Sequence, residues 1–354
     1  MKILLFNCGP FASTMGGATR MKNLFLGRGL DITWADPVYY ENYVEELEPA
    51  KAKGVRVVPG FKSTPNRLAE WLQREKHFLK VAKENPCDAA IFCNAWGTRR
   101  ARKWLKRKGV PVVMDYSDLM HAFHSGFKRV LLGKAYGEAL KEADLVVTTA
   151  RALEEEAHKF NSNVRLISNG VKRSFYAKAK KKRLKHPNAG FVGAFGEWVE
   201  LEKIVEAARL LPKTFFYLVG DGPKKIGDAP KNVVLTGRVT HAEARDYAAG
   251  FDVGLIPFAK NELTDAVCPI KLFEYWALGK PVVASHVNEV KRIAGNAVLY
   301  ASTPEDWAHT IDEVLKDKKL ARLLGQEGRK TVREYDWRAL GKQYVEELEG
   351  LVAK

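Results

Sequence analysis

Apolar residues recur along this chain with two periods that take turns. Short unbroken runs read as buried strands: KILLFNC from Lys2, DITWAD from Asp31, Val55–Val58, DAAIFC from Asp88, VPVVM from Val110 and ADLVVTTA from Ala143. Between them the spacing turns helical, over Thr19–Gly27, Thr64–Asn85, Thr98–Lys108, Lys134–Ala143 and RALEEEAHKF from Arg151. In the Thr64–Asn85 segment, Leu68, Trp71, Leu72, Phe78, Leu79 and Ala82 make the expected apolar face. Asn163–Ser168 is a last short strand, ending in SNGV. The alternation then starts again: strand Ala189–Val192, helix Val199–Leu210, strands Phe215–Val219, Asn232–Thr236 and Asp252–Pro257, a helix opened by Pro269, and the strand PVVAS. Strands alternating with helices predict parallel sheets, and two rounds predict two α/β domains.

A break in the pattern separates the rounds. Lys172–Lys185 holds Lys172, Arg173, Lys178, Lys180, Lys181, Lys182, Arg183 and Lys185 with no acid between. It reads either as a solvated hinge or as a patch for an anionic lipid surface. The Thr98–Lys108 helix, with six cations around Trp104, carries the same two readings. The expected boundaries are a first domain over 1–171, a basic linker over 172–188 and a second domain over 189–337, with 338–354 crossing back.

Composition agrees with two folded domains: 354 residues, of which 46% are hydrophobic. No apolar run approaches the ~20 residues of a membrane span. Cys8, Cys87, Cys93 and Cys268 lack ligand spacing, so inert core thiols in a reducing cytoplasm are expected. The net charge of +16 points to phosphate-bearing substrates, anionic lipid or nucleic acid.

Three stretches carry candidate chemistry. The first strand is followed by a loop with adjacent Gly16 and Gly17, but without G-x-G-x-x-G, so a dinucleotide site is weakly supported. A plain turn and a phosphate-approaching loop both fit it. After VPVVM, at a strand's carboxyl end, come Asp115, Ser117, Asp118, His121 and His124. A carboxylate or histidine there could deprotonate an acceptor hydroxyl. No third metal ligand accompanies the two histidines. In the second round, Gly193-Ala-Phe-Gly196 links a strand to a helix and forms a phosphate cradle, with Glu197 and Trp198 at its mouth.

The stretch PIKLFEYWALGKPVVAS, residues 269–285, ties these together. Pro269 starts a helix whose apolar face is Ile270, Phe273 and Ala277; Gly279 and Pro281 end it. Lys271 and Glu274 share one side in an order that opposes the helix dipole. They form either a solvated surface pair, or an anion site strengthened by Lys271 with Glu274 accepting from sugar hydroxyls one turn deeper.

The pattern P-x-K-x-x-E-Y-x-A-x-G-K-P-V-V-A resembles the donor-site helix of glycosyltransferases of the GT-B fold, and is most similar to their family 4 (group 1). The series ADLVVTTA…SNGV is similar to the end of that family's first domain. The resemblance implies two doubly wound Rossmann-like α/β domains facing a cleft. It implies a nucleoside diphosphate sugar, UDP- or GDP-linked, as donor substrate, and no cofactor or metal. The acceptor would be a glycan or lipid-linked hydroxyl, and the setting cytoplasmic with peripheral contact to the anionic inner membrane face. It assigns the donor to Gly16, Gly17, Gly193, Glu197, Arg238, Lys271 and Glu274. Lys203 is placed near the diphosphate, and Arg238 either on the base or in solvent. Lys271 would stabilise the leaving diphosphate, and Asp118 or Asp115 would be the base of an inverting reaction. Two departures stand out. Asp115 and Ser117 replace the family's threonine and histidine, and Ala266 stands where the first of two paired glutamates is usual. The sugar and the stereochemical outcome are therefore left open. A sugar-nucleotide epimerase of the same fold is the alternative. A nucleic-acid-binding protein fits the charge but lacks interleaved aromatic platforms, and no nucleic acid is expected.

Overall fold

A computed structural model describes residues 1–11, 16–39, 53–62, 64–224 and 226–353. Part of the loop expected after the first strand, residues 12–15, lies outside the described residues. The chain divides into two compact units, Met1–Ser168 with Arg338–Lys354, and Asn169–Trp337.

In the first unit seven parallel strands form one sheet in the order β4-β2-β1-β6-β7-β8-β9. They are β1 (Lys2–Phe6), β2 (Asp31–Ala35), β4 (Val55–Val58), β6 (Ala89–Phe92), β7 (Val112–Tyr116), β8 (Leu145–Thr148) and β9 (Val164–Leu166). The short pair β3 (Val38–Tyr39) and β5 (Phe61–Lys62) stands apart. Strands β6, β7 and β8 are buried along their whole length, which is why their sequences are unbroken apolar runs. The last helix, Trp337–Val352, belongs mainly to this unit: Tyr344 meets Phe25 edge-on at 5.0 Å, and Arg165 pairs with Glu347 at 3.2 Å.

The second unit repeats the plan with six strands in the order β12-β11-β10-β13-β14-β15. These are β10 (Asn188–Val192), β11 (Phe215–Val219), β12 (Val233–Leu235), β13 (Val253–Ile256), β14 (Val282–Ala284) and β15 (Leu299–Tyr300). Both sheets are doubly wound, as GT-B domains are. In each, the direction of strand order reverses at one point, between β1 and β6 and between β10 and β13. The carboxyl ends at such a point are where open α/β sheets bind ligands.

Three expectations need revision. The helix from Ile270 to Ala277 buries Leu272, Phe273, Glu274, Tyr275 and Trp276, so it runs inside the core and shows no single apolar face. The helix expected over Thr64–Asn85 spans Arg67–Glu84, and its first two leucines, Leu68 and Leu72, are exposed while Phe78, Val81 and Ala82 are buried. Cys8 and Cys93, expected as separate thiols, are disulfide-bonded, because β1 and β6 are sheet neighbours and bring the two strand ends together. Cys87 and Cys268 are not bridged.

The basic segment after Val171 lies within the second unit. Its cations are exposed, but Tyr176 and Leu184 pack on the second core, and the Lys180 amide donates to the Asp246 carboxylate at 3.0 Å.

Candidate active site

In the second unit, four loops at the carboxyl edge of the sheet are stitched together. The loop after β10 meets the loop after β11: the Gly193 amide donates to the Val219 carbonyl at 3.0 Å, and the Phe195 amide to the Asp221 carbonyl at 2.8 Å. Gly220 (φ +135°) sits so close that an added Cβ would lie 2.0 Å from the Gly193 carbonyl oxygen. Gly220 also bridges to Gly237, at the end of β12. The loop after β13 is held by the Glu200 amide on the Pro257 carbonyl, at 2.7 Å.

The Ile270–Ala277 helix is anchored beneath these loops. The Val192 amide donates to the Tyr275 hydroxyl at 3.0 Å, and the Tyr275 ring fills the space a Cβ on Gly254 would need. Gly279 (φ +68°) then turns the chain out of the helix toward β14. This anchoring fixes Lys271 and Glu274, whose side chains meet at 2.7 Å. Glu274 is only 9% exposed. Burial alone would raise its pKa; the Lys271 ammonium, hydrogen-bonded to it at 2.7 Å, with the His241 ring and the Tyr176 hydroxyl nearby, outweighs that and holds the carboxyl down at about 2. Burial, with the Glu274 charge beside it, pushes the Tyr176 phenol well above its usual range, so it stays a donor. The His241 ring lies 4.0 Å from Glu274 and stacks on Phe175 at 4.7 Å. Lys271 and Glu274 are thus neither a solvated surface pair nor isolated.

The other expected donor residues are placed less tightly. Glu197 is exposed, and no hydrogen bond or ion pair holds it among the described residues. Arg238 is 84% exposed and reaches Asp221 at 3.3 Å. Lys203 pairs with Glu200 at 2.9 Å. Lys224, which sequence reasoning passed over, donates to the Val199 carbonyl at 2.7 Å and pairs with Glu202 at 2.8 Å.

In the first unit, Gly16 and Gly17 open the helix Gly16–Phe25. A Cβ on Gly17 would lie 3.1 Å from the Cys8 carbonyl oxygen, so the helix start is pressed against the end of β1. Asp115 is buried and chelated by Arg20, whose Nε and Nη2 reach both carboxylate oxygens at 3.0–3.1 Å. The same guanidinium donates to the Ser168 and Ile167 carbonyls at 2.9 and 2.8 Å. Asp115 is therefore the counter-ion of a buried arginine that joins β7 to the segment after β9. Asp118, just beyond β7, is half-buried. Burial and the Asp115 charge push its pKa up to about 6, against the pull of Arg20 and a hydrogen bond from Ser117. Its neighbour His124 lies 3.3 Å from the Lys128 ammonium. Among the described residues no three His, Cys, Asp or Glu side chains gather as a metal site.

A family model described as glycosyl transferases group 1 matches residues 186–317, which includes these loops. A second, for a glycosyl transferase 4-like domain, matches residues 32–170. The chain belongs to the group 1 glycosyltransferases. Among curated relatives, this glycosyltransferase is 27% identical over 267 residues to TuaH of Bacillus subtilis (strain 168), a protein named for teichuronic acid biosynthesis. That match covers 66% of this chain and 66% of the relative. LpsE of Rhizobium meliloti (strain 1021), named for lipopolysaccharide core biosynthesis, is 24% identical over 252 residues, covering 66% of this chain and 72% of LpsE. Solved structures share the fold. Sucrose-phosphate synthase from Thermosynechococcus elongatus has a TM-score of 0.78 at 17% identity, over 99% of both chains. Anabaena HepE in complex with UDP has 0.75 at 14% identity, over 99% of this chain and 100% of that one.

Proposed function

We propose that this glycosyltransferase moves a hexosyl group from a nucleoside diphosphate sugar to an acceptor hydroxyl. The observation that carries the reading is Glu274: a carboxylate buried one turn into a helix and kept charged at great desolvation cost, beside Lys271. A buried charge kept this way suits the recognition of paired hydroxyls, which donate to it as ribose would. Lys271, helped by the positive end of the helix dipole, then holds the diphosphate and stabilises the negative charge that grows on it as the glycosidic bond breaks. The Gly193 loop, held in shape by the Gly193 and Phe195 amides, puts Glu197 on the donor side. Arg238 is the weakest member, on the base side.

Asp118 is the general base of this scheme in the inverting case. With a pKa near 6 it is ionised at neutral pH yet basic enough to take a proton. Asp115 does not serve as a second base, because both its oxygens are engaged by Arg20. A glycan or lipid-linked acceptor fits the names of TuaH and LpsE. UDP comes first among donors to try, because HepE was solved with UDP-glucose. No helix among the described residues is long and apolar enough to cross a membrane. The cytoplasmic, peripheral setting is part of this proposal.

Calorimetric titration with UDP- and GDP-sugars tests the scheme. Binding by the parent protein and its loss in both Lys271→Ala and Glu274→Ala are expected. Unchanged affinity in both variants would rule out the site.

A further inference from the structure

A cavity of about 900 Å³ opens in the first unit at the carboxyl ends of β1 and β6. We propose that it is a binding site for the apolar chain of a lipid phosphate, with Lys128 at its mouth taking the phosphate. This deepens the acceptor side of the function proposed above and rests on it.

Three observations carry the inference. First, the walls are largely apolar and aromatic: Leu68, Trp71, Trp96, Leu131, Leu132 and Tyr136 line the space. Most of the polar groups on those walls are already matched, the Tyr136 hydroxyl and the Arg102 Nε being the buried exceptions among the described residues. Glu70 pairs with Arg74 at 2.7 Å and Glu138 with Arg99 at 3.3 Å. Glu75 accepts from the Arg99 and Arg100 amides at 3.0 and 2.8 Å, and Arg102 donates to Thr98 at 2.6 Å. A sugar needs several convergent hydrogen-bonding groups, and here most are spent on one another. A hydrocarbon chain needs only the area and volume.

Second, one cation at the rim is not matched in this way. Lys128 is exposed and lies 3.3 Å from the His124 ring nitrogen, and among the described residues no carboxylate is within ion-pair distance of it. An apolar cavity with a lysine at its mouth is complementary to an anionic head on an apolar chain. Third, the apolar surface runs on outside. Phe127 (82% exposed), Val130 (54%) and Leu131 (45%) share one face of the helix Gly126–Glu142 by their spacing. Leu68 (66%) and Leu72 (45%) do so on the helix Arg67–Glu84. Leu68 and Leu131 belong both to the cavity wall and to this outer surface, so the two are continuous. Isolated exposed leucines need no explanation, but a stripe running into a cavity marks a ligand. The stripe, flanked by Lys128, Arg129 and Lys134, also suits a surface resting in a bilayer interface, where such a lipid would reside.

The test uses farnesyl phosphate as probe and inorganic phosphate as its chain-less control, both titrated calorimetrically into the intact protein, with UDP titrated in parallel. Farnesyl phosphate is expected to bind where inorganic phosphate at the same concentration does not. Leu131→Asp should weaken it at least tenfold and Lys128→Glu several-fold, with UDP affinity unmoved. Leu68→Ser changes an exposed side chain without threatening the fold and should weaken binding about threefold, so the result survives any misfolding of Leu131→Asp. No binding of farnesyl phosphate, equal binding of inorganic phosphate, or affinity unaffected by all three variants would each overturn the lipid site. UDP binding without farnesyl phosphate binding would sink this inference alone. Farnesyl phosphate binding with neither UDP nor GDP bound, GDP being titrated in the same way, would sink the donor site alone.

Discussion

Glu274 and Asp118 are both carboxylates set among the connections of a parallel sheet, Asp118 just past the carboxyl end of β7 and Glu274 on the helix between β13 and β14. Burial penalises the charge on both. Yet one carboxyl is held at about 2 and the other is lifted to about 6. The difference lies in the neighbours. Glu274 has an ammonium at 2.7 Å, an imidazole at 4.0 Å and a phenol donor, all converging on it. Asp118 has another carboxylate, Asp115, beside it, and the cation that could compensate is engaged bidentately by that same Asp115. Burial sets the stakes, and the nearest charge sets the direction. One carboxyl is thereby held ionised well into the acid range and the other is lifted toward neutral pH.

The comparison can be broken in several ways. The largest effect is expected at Asp118. Asp118→Asn should cut kcat by about 10²–10⁴-fold with little change in nucleotide affinity, as the loss of a general base does. In the parent enzyme, kcat should fall as pH drops below about 6, the range in which Asp118 takes up its proton; a profile flat from pH 5 to 8 would deny it that role.

Next comes Asp115. Removing it leaves the Arg20 guanidinium buried and unpaired, so Asp115→Ala should lose about 3–5 kcal/mol of stability in denaturant unfolding. Loss of activity at full stability would instead make Asp115 a catalytic group.

Acid should act on Glu274 with the opposite sign to Asp118. Its folded pKa lies below the ordinary 4.5, so it adds about 3 kcal/mol of stability at neutral pH, lost as pH falls from about 4.5 toward about 2. Asp118, raised above its ordinary 3.8, contributes in the reverse sense: stability falls as pH rises from about 4 to about 6. Unfolding curves of Glu274→Gln against the parent, from pH 7 down to pH 3, separate the two.

The smallest effect is expected at Arg238. Its exposed contact with Asp221 is worth about 0–1 kcal/mol, so Arg238→Ala should leave stability unchanged.

The strands of both sheets were legible because fully buried parallel strands are apolar on both faces and leave unbroken runs. Lys271 and Glu274 were legible as a pair, because three residues of helix separate them. Their surroundings were not. Tyr176 and His241 come from segments 98 and 33 positions before Glu274, and no local pattern announces such a meeting. The Thr240–Glu243 capping box does announce where the His241 helix begins. The helix around Glu274 misled for a physical reason: it is buried on most sides, and a three-residue stripe cannot be distinguished from a wholly internal helix. Leu68 and Leu72 misled in the other direction. Helical spacing puts them in register with a core face, but that face outruns the core and ends beside a cavity. The cysteine bridge was hidden by 85 residues of separation that sheet pairing erases.

In the function proposed above, Lys271 and Glu274 form the donor-binding anchor. Titrating UDP-glucose and its GDP counterpart into the parent protein, Lys271→Ala and Arg238→Ala tests it most directly. At least one nucleotide sugar should bind the parent, about a hundredfold more weakly to Lys271→Ala, and within threefold of the parent to Arg238→Ala. Equal affinity for the parent and Lys271→Ala would contradict the account.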